Sequence, residues 1–180
     1  HVSSPTPAAT AVAPDGVSGA LVENVLGLAR LELGAKALHG CIGCGWCSEN
    51  LRRRCVFNDD VLNDSLATLF SADGVVIGSP VYYAGMNGAL KCYLDRAFYV
   101  ASANGALCRH KLGAGGVAVR RGGEIAAWEK INKNFTISEK IVPSSGYRNM
   151  LYGLAPGESR LAVGGLHTQP ALAQNTAWIL

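Results

Sequence analysis

Two rhythms of apolar positions alternate along the chain. Short glycine-bounded runs, Gly74-Val75-Val76-Ile77-Gly78 and Gly115-Gly116-Val117-Ala118-Val119, are apolar without a polar face, as in a strand buried on both sides. Lys140-Ile141-Val142 reads as a third strand. Between the runs the apolar residues recur with a helical period. Positions 21, 22, 25, 26, 28, 29 and 33 predict a helix over Val17–Leu33, with Gly34 as its stop. Val61–Ser71, Ala89–Val100, Glu124–Ile137 and Thr168–Leu180 read the same way, the first behind the acidic start Asn58-Asp59-Asp60. Residues 1–16, rich in Pro, Ala, Ser and Thr, read as loop, as do residues 143–166. The glycine-rich stretch around Gly40, Gly43 and Gly45 reads as turns.

Strands alternating with helices predict an α/β fold, a doubly wound parallel sheet with helices on both faces. No repeat or internal boundary is visible, so residues 1–180 are expected to form one domain. In such a sheet ligands sit beyond the C-terminal strand ends. Two loops leave those ends. One is Ser79-Pro80-Val81-Tyr82-Tyr83-Ala84-Gly85-Met86-Asn87-Gly88, and the other is Arg120-Arg121-Gly122-Gly123. Their backbone amides can hydrogen-bond the edge of a planar heterocycle while tyrosine rings pack on its face. Ordinary turn chemistry with two half-buried aromatics accounts for the first loop equally well. Ser3, Ser4, Thr6 and Thr10 stand before the first expected helix, where hydroxyls and helix amides can hold a phosphate; a solvated polar tail is the alternative.

Charge narrows the function classes. Sixteen basic against 13 acidic residues give a net +3, too balanced for a nucleic-acid surface. Arg52-Arg53-Arg54 reads as a solvated loop. No apolar run is long enough to span a membrane, and no basic segment leads into an apolar one near residue 1, so a cytoplasmic protein is expected.

The six cysteines are distributed unevenly. Cys41, Cys44, Cys47 and Cys55 form C-x2-C-x2-C-x7-C, while Cys92 and Cys108 stand apart. Such clustering is unlike a secreted disulfide framework. Three readings stay open: a [4Fe-4S] cluster, whose thiolate ligands this spacing gathers round a small volume; a four-thiolate zinc site; and thiols with nothing bound.

GCIGCGWC with CVFNDDVLN, the long run ADGVVIGSPVYYAGMNGALKCYLDRAFY, and VAVRRGGEIAAWEKINKNFTIS through VPSSGYRNMLYG to QNTAWIL together resemble the NAD(P)H-dependent FMN reductase branch of the flavodoxin-like superfamily, which includes the iron–sulfur flavoproteins. The resemblance covers roughly residues 40–180. It implies FMN as cofactor and NAD(P)H as co-substrate. Ser79, Pro80, Val81, Tyr82, Tyr83 and Ala84 would wrap the isoalloxazine, with Met86 and Asn87 on the far side. Arg120, Arg121, Gly122 and Gly123 would face its pyrimidine end, where positive charge stabilises the reduced flavin. Hydride would pass from nicotinamide to flavin and electrons on to a small acceptor: a quinone, a nitro- or azo-aromatic, free flavin or a ferric complex. The alternative is an iron–sulfur flavoprotein or a flavodoxin-type electron carrier without its own NAD(P)H oxidation, with ferredoxin as a partner if a cluster is present. The step requires no general acid or base, so no catalytic residue is assigned. A homodimer or homotetramer is implied, with no nucleic-acid or membrane partner.

The opening of the chain departs from the family pattern. The family begins with an apolar strand and a glycine-serine-proline-arginine phosphate loop. Here only His1-Val2-Ser3-Ser4-Pro5 stands, with Thr6 in the arginine's place, and Ala35–Leu38 is too short for the second strand. The first two strands are therefore expected to be missing or altered. Elsewhere, Asp95-Arg96 reads as a structural ion pair or helix-end contact, Cys92 as a buried small apolar residue and Trp46 as core. Tyr147, Arg148 and Asn149 are substrate-side or subunit-contact candidates by resemblance; His110 and His167 receive no role.

Overall fold

A computed structural model describes residues 9–12, 28–33, 37–155, 158 and 163–180, with 9–12, 28 and 163–166 as backbone. Five strands form a parallel sheet in the order β2-β1-β3-β5-β6: β1 Ala9–Val12, β2 Leu28–Leu31, β3 Gly74–Tyr82, β5 Leu112–Val119 and β6 Met150–Tyr152. A two-residue β4, Gly85–Met86, folds back antiparallel on β3. The described helices are α1 Trp46–Asn50, α2 Leu62–Ser71, α3 Gly88–Ala103, α4 Glu124–Ile137 and α5 Val163–Ile179.

The alternation of Cβ directions along β3 and β5 assigns the helices to faces. Val75, Ile77 and Val117 point to one face and share a core with Leu62, Leu66 and Leu69 of α2, Leu90, Leu94 and Ala97 of α3, and Ile131 and Phe135 of α4. Val76 and Ala114 point to the other, where Leu172 and Ala173 of α5 cover them. Burying each large side chain stabilises the fold by about 1.5–3 kcal/mol. Gly113 is what lets α4 come so close: a β-carbon there would stand 2.7 Å from the Phe135 ring.

Helices on both faces of a parallel sheet agree with the sequence; several boundaries do not. Residues 9–12, expected in a loop, form the interior strand β1, pairing with β2 and β3. Leu28–Leu31, expected to close a helix, is the edge strand β2. The first two strands are thus present and short, the first later than His1–Pro5 and the second earlier than Ala35–Leu38, where the family pattern puts them. Four residues carry too little periodicity to separate strand from helix or loop; the sheet on either side decides. Lys140-Ile141-Val142 contributes only a single bridge, Leu112 to Ile141, and the fifth strand is instead Met150–Tyr152, inside the expected loop.

Candidate functional site

The order 2-1-3 around β1 makes the gap between β1 and β3 the topological switch point, where open α/β sheets bind ligands beyond their C-terminal ends. β3 ends there. Its last residues, Ser79 to Tyr82, were expected in a loop but continue the strand: Ser79 and Pro80 pair with Val117 and Ala118, and Val81 and Tyr82 turn back against Met86 and Gly85. Tyr83 and Ala84 are left as a two-residue hairpin turn with φ of 47° and 58°. Positive φ at both central positions marks a type I′ turn, ordinarily built from Asn and Gly. Two side chains held there store strain of the kind that gathers at ligand sites, and the turn leaves Tyr83 fully exposed.

Ser79 secures this turn from beneath. Its fully buried hydroxyl donates to the Pro80 carbonyl at 2.8 Å and accepts from the Asn87 amide at 2.9 Å. Asn87 in turn caps α3, its Oδ1 accepting from the amides of Ala89 at 2.8 Å and Leu90 at 3.3 Å.

The second loop leaves β5. Arg120, Arg121 and Gly122 are exposed, and Gly123 caps α4 with φ of 93°. Gly123 meets the hairpin turn directly, since a β-carbon there would lie 2.3 Å from the Ala84 Cα. The next residue, Glu124, accepts from the Tyr152 hydroxyl at 2.9 Å, a bond that raises the tyrosine pKa. The other carboxylate oxygen, Oε2, is buried without a partner among the described residues. Adjacent strand-end loops, a glycine cradle and an unpaired acceptor suit a flat heterocycle with N–H and C=O edges, as FMN has. Of the residues expected at the phosphate end, Ser4 and Thr6 lie outside the described residues. Thr10 is within β1, paired with Ala29 and Val75, rather than in a loop before a helix.

All four clustered cysteines line one small cavity, together with Ile42, Val56, Phe57, Tyr99, Val100 and Arg96. Gly43 and Gly45, at φ of 64° and 75°, turn the loop between them. Among the described residues, no group of three or more His, Cys, Asp or Glu side chains is placed to hold a single metal ion. Four cysteine sulfurs about one cavity are the donor set that either an iron–sulfur cluster or a zinc ion takes.

The fourth cysteine is held from two sides. Asn63, buried in α2, accepts from the Cys55 amide at 2.8 Å and donates to the Cys55 and Phe57 carbonyls at 3.0 and 2.6 Å. Arg96 of α3 donates through Nε to the Cys55 sulfur at 3.2 Å. Its Nη1 donates to Asp60 and, at 3.2 Å, to the His39 carbonyl. The Arg96 and Asp60 side chains are each 1% exposed. Burial works to raise the Asp60 carboxyl, but Arg96 and the amides of His39 and Leu62 outweigh it and hold the group below its ordinary value. Asp95, expected beside Arg96 in a structural pair, instead bonds Lys91 one turn back. Trp46 and Cys92 are half-buried rather than core. The Arg96–Asp60 pair escapes sequence reading because 36 residues separate its members.

The chain matches the NADPH-dependent FMN reductase family over residues 6–150. It is 33% identical over 169 residues to an iron-sulfur flavoprotein of Methanocaldococcus jannaschii, covering 89% of this chain and 84% of that protein. A second iron-sulfur flavoprotein of the same organism is 32% identical over 114 residues, covering 62% of this chain and 56% of that one. Among solved structures, the azoreductase of Bacillus anthracis str. Sterne superposes with a TM-score of 0.61 at 14% identity, over 97% of this chain and 98% of that one. A flavodoxin from the domain Archaea gives 0.55 at 11% identity, over 93% and 96%. The sheet order, the paired strand-end loops and these matches agree: the fold is flavodoxin-like, and the chain belongs to the NADPH-dependent FMN reductase family of flavin oxidoreductases.

Proposed function

We propose that this chain holds FMN at the switch point and moves electrons from NAD(P)H to a small acceptor such as a quinone, an azo- or nitro-aromatic, free flavin or a ferric complex. The observation that carries this reading is the meeting of the Tyr83–Ala84 turn with Gly123 at the C-terminal edge of the sheet. When bound, FMN supplies hydride acceptance from nicotinamide and onward release of electrons. The protein's task is to position and tune. Ser79 and Asn87 hold the hairpin that would flank the ring system. Tyr82 and Tyr83, both exposed, offer aromatic faces for a flat ligand. Arg120 and Arg121 bring positive charge to the second loop, where it offsets negative charge gained on reduction. No side chain is asked to move a proton, and Gly123 keeps the two loops close enough for backbone to flank the ligand.

The test is anaerobic titration of the FMN-loaded protein with NADPH and with NADH, followed by addition of benzoquinone. Loss of the flavin absorbance on nicotinamide addition and its return with the quinone support the proposal. Flavin that dithionite reduces but neither nicotinamide does would make the chain an electron carrier.

A second reading has its own observation. The four cysteines around one cavity, with Arg96 on the fourth, support a [4Fe-4S] cluster held by Cys41, Cys44, Cys47 and Cys55, which would pass electrons singly to or from a partner such as ferredoxin. Iron and acid-labile sulfide assays on anaerobically purified protein test it. About four irons per chain, lost on Cys44→Ser, is the expected result.

A further inference from the structure

Among the described residues lining the cysteine cavity, Arg96 is the one that carries a charge. Besides the His39 carbonyl that Nη1 also reaches, its guanidinium is divided between two tasks. Nη1 and Nη2 engage the Asp60 carboxylate, Nη2 at 3.3 Å, while Nε is left to the Cys55 sulfur at 3.2 Å. The Phe57 ring lies 5.2 Å from the guanidinium carbon. With both charged side chains 1% exposed, solvent and salt screen them little.

This geometry does more than anchor the fold. An ion pair needs only the two Nη groups; the third nitrogen is aimed at a thiol of the candidate cluster. We propose that Arg96 is a positioning residue that sets the reduction potential of the cluster, with Asp60 as its electrostatic counterweight. The inference rests on the cluster reading above. Reduction adds negative charge to the cluster and its thiolates. An N–H···S bond and a nearby cation both favour the reduced form and raise the potential, whereas a nearby carboxylate lowers it. Arg96 and Asp60 therefore pull in opposite directions, and removing either charge exposes the other.

That opposition supplies the test. Wild type, Asp60→Asn, Arg96→Lys and Arg96→Gln are purified as the full chain without oxygen. Iron is assayed, and the cluster midpoint potential is read by spectroelectrochemistry, with the electron spin resonance of the reduced cluster as a second readout. Asp60→Asn is expected to raise the potential above wild type. Arg96→Gln is expected to lower it. Arg96→Lys, which keeps the charge without the planar fork, should lower it by less. If Arg96→Gln does not fold, Asp60→Asn and Arg96→Lys still predict shifts of opposite sign. Iron-loaded variants whose potentials coincide with wild type, or all shift the same way, overturn the inference and leave the cluster intact. Wild-type protein that takes up no iron overturns the cluster and the inference together.

Discussion

Gly123 and Ala84 lie in different strand-end loops, yet a β-carbon on the first would stand 2.3 Å from the Cα of the second. Backbone, not side chain, fixes how far apart the two walls of the candidate flavin site sit. Gly123→Ala must either move the hairpin or abandon a φ of 93° that costs a side chain ~1–2 kcal/mol. We expect FMN affinity to fall at least tenfold, or ~1.4 kcal/mol, by fluorescence titration. Gly122→Ala is the control, because nothing lies within 4 Å of its β-carbon position; equal losses from both variants would remove Gly123 from this role.

Ser79 and Asn87 form a relay from turn to helix. Asn87→Ala deletes an N-cap, which costs ~1 kcal/mol, and Ser79→Ala strips the Asn87 amide of its acceptor, a loss of ~1–3 kcal/mol. Both should weaken FMN binding as well as lower the urea midpoint, since one hydroxyl bridges Pro80 and Asn87. A variant that loses stability with unchanged FMN affinity would assign the residue to the fold alone.

The buried Arg96–Asp60 pair predicts an asymmetry in apo-protein stability. Arg96→Met leaves a carboxylate buried and uncompensated, at a cost of ~3–5 kcal/mol. The Asp60 pKa is held below its ordinary value. Its contribution is therefore fully present above the unfolded value of 3.8 and is lost as pH falls through the lower folded value. Stability measured against pH should show this acid-side loss in wild type and a weaker one in Asp60→Asn. Identical acid limbs would contradict it.

Lys140 works the other way. Burial pushes its ammonium pKa from 10.5 down to about 8, the neighbouring Cys108 opposing and Lys111 assisting. Below about pH 8 both folded and unfolded chains carry the proton and the fold bears the cost of burying the charge. Between about 8 and 10.5 the unfolded state binds more protons, so stability rises with pH. Lys140→Met should stabilise the protein at pH 7 by up to about 3 kcal/mol, with the gain shrinking toward pH 10.5. A pH-independent difference in chemical denaturation would show that the charge is not what matters.

How far the sequence could be read depended on run length. Val75, Ile77 and Val117 sit in uninterrupted, glycine-bounded apolar runs, and the strands holding them were legible, as was α4 from Glu124 to Ile137, whose ends match the structure. β1 and β2, with four residues each, were not, because their strand state is imposed by pairing, β1 with β3 and β2 with β1, rather than by local preference. The site divided along the same line. The Tyr83–Ala84 loop, the Arg-Gly-Gly loop and the four cysteines carry their chemistry in contiguous residues. Arg96 on Cys55 and Gly123 on Ala84 are contacts across 41 and 39 positions, and nothing local announces them. Ser79 to Tyr82 looked like loop because Pro80 and the adjacent tyrosines mimic turn chemistry, although they extend β3.

The most direct test of the whole account is anaerobic reduction of the FMN-loaded chain by NADPH. FMN is expected to bind one per chain at the switch point, to lose its absorbance fully on NADPH addition and to recover it with a quinone. Protein that binds no FMN, or whose bound FMN dithionite bleaches while NADPH and NADH leave it oxidised, would contradict it.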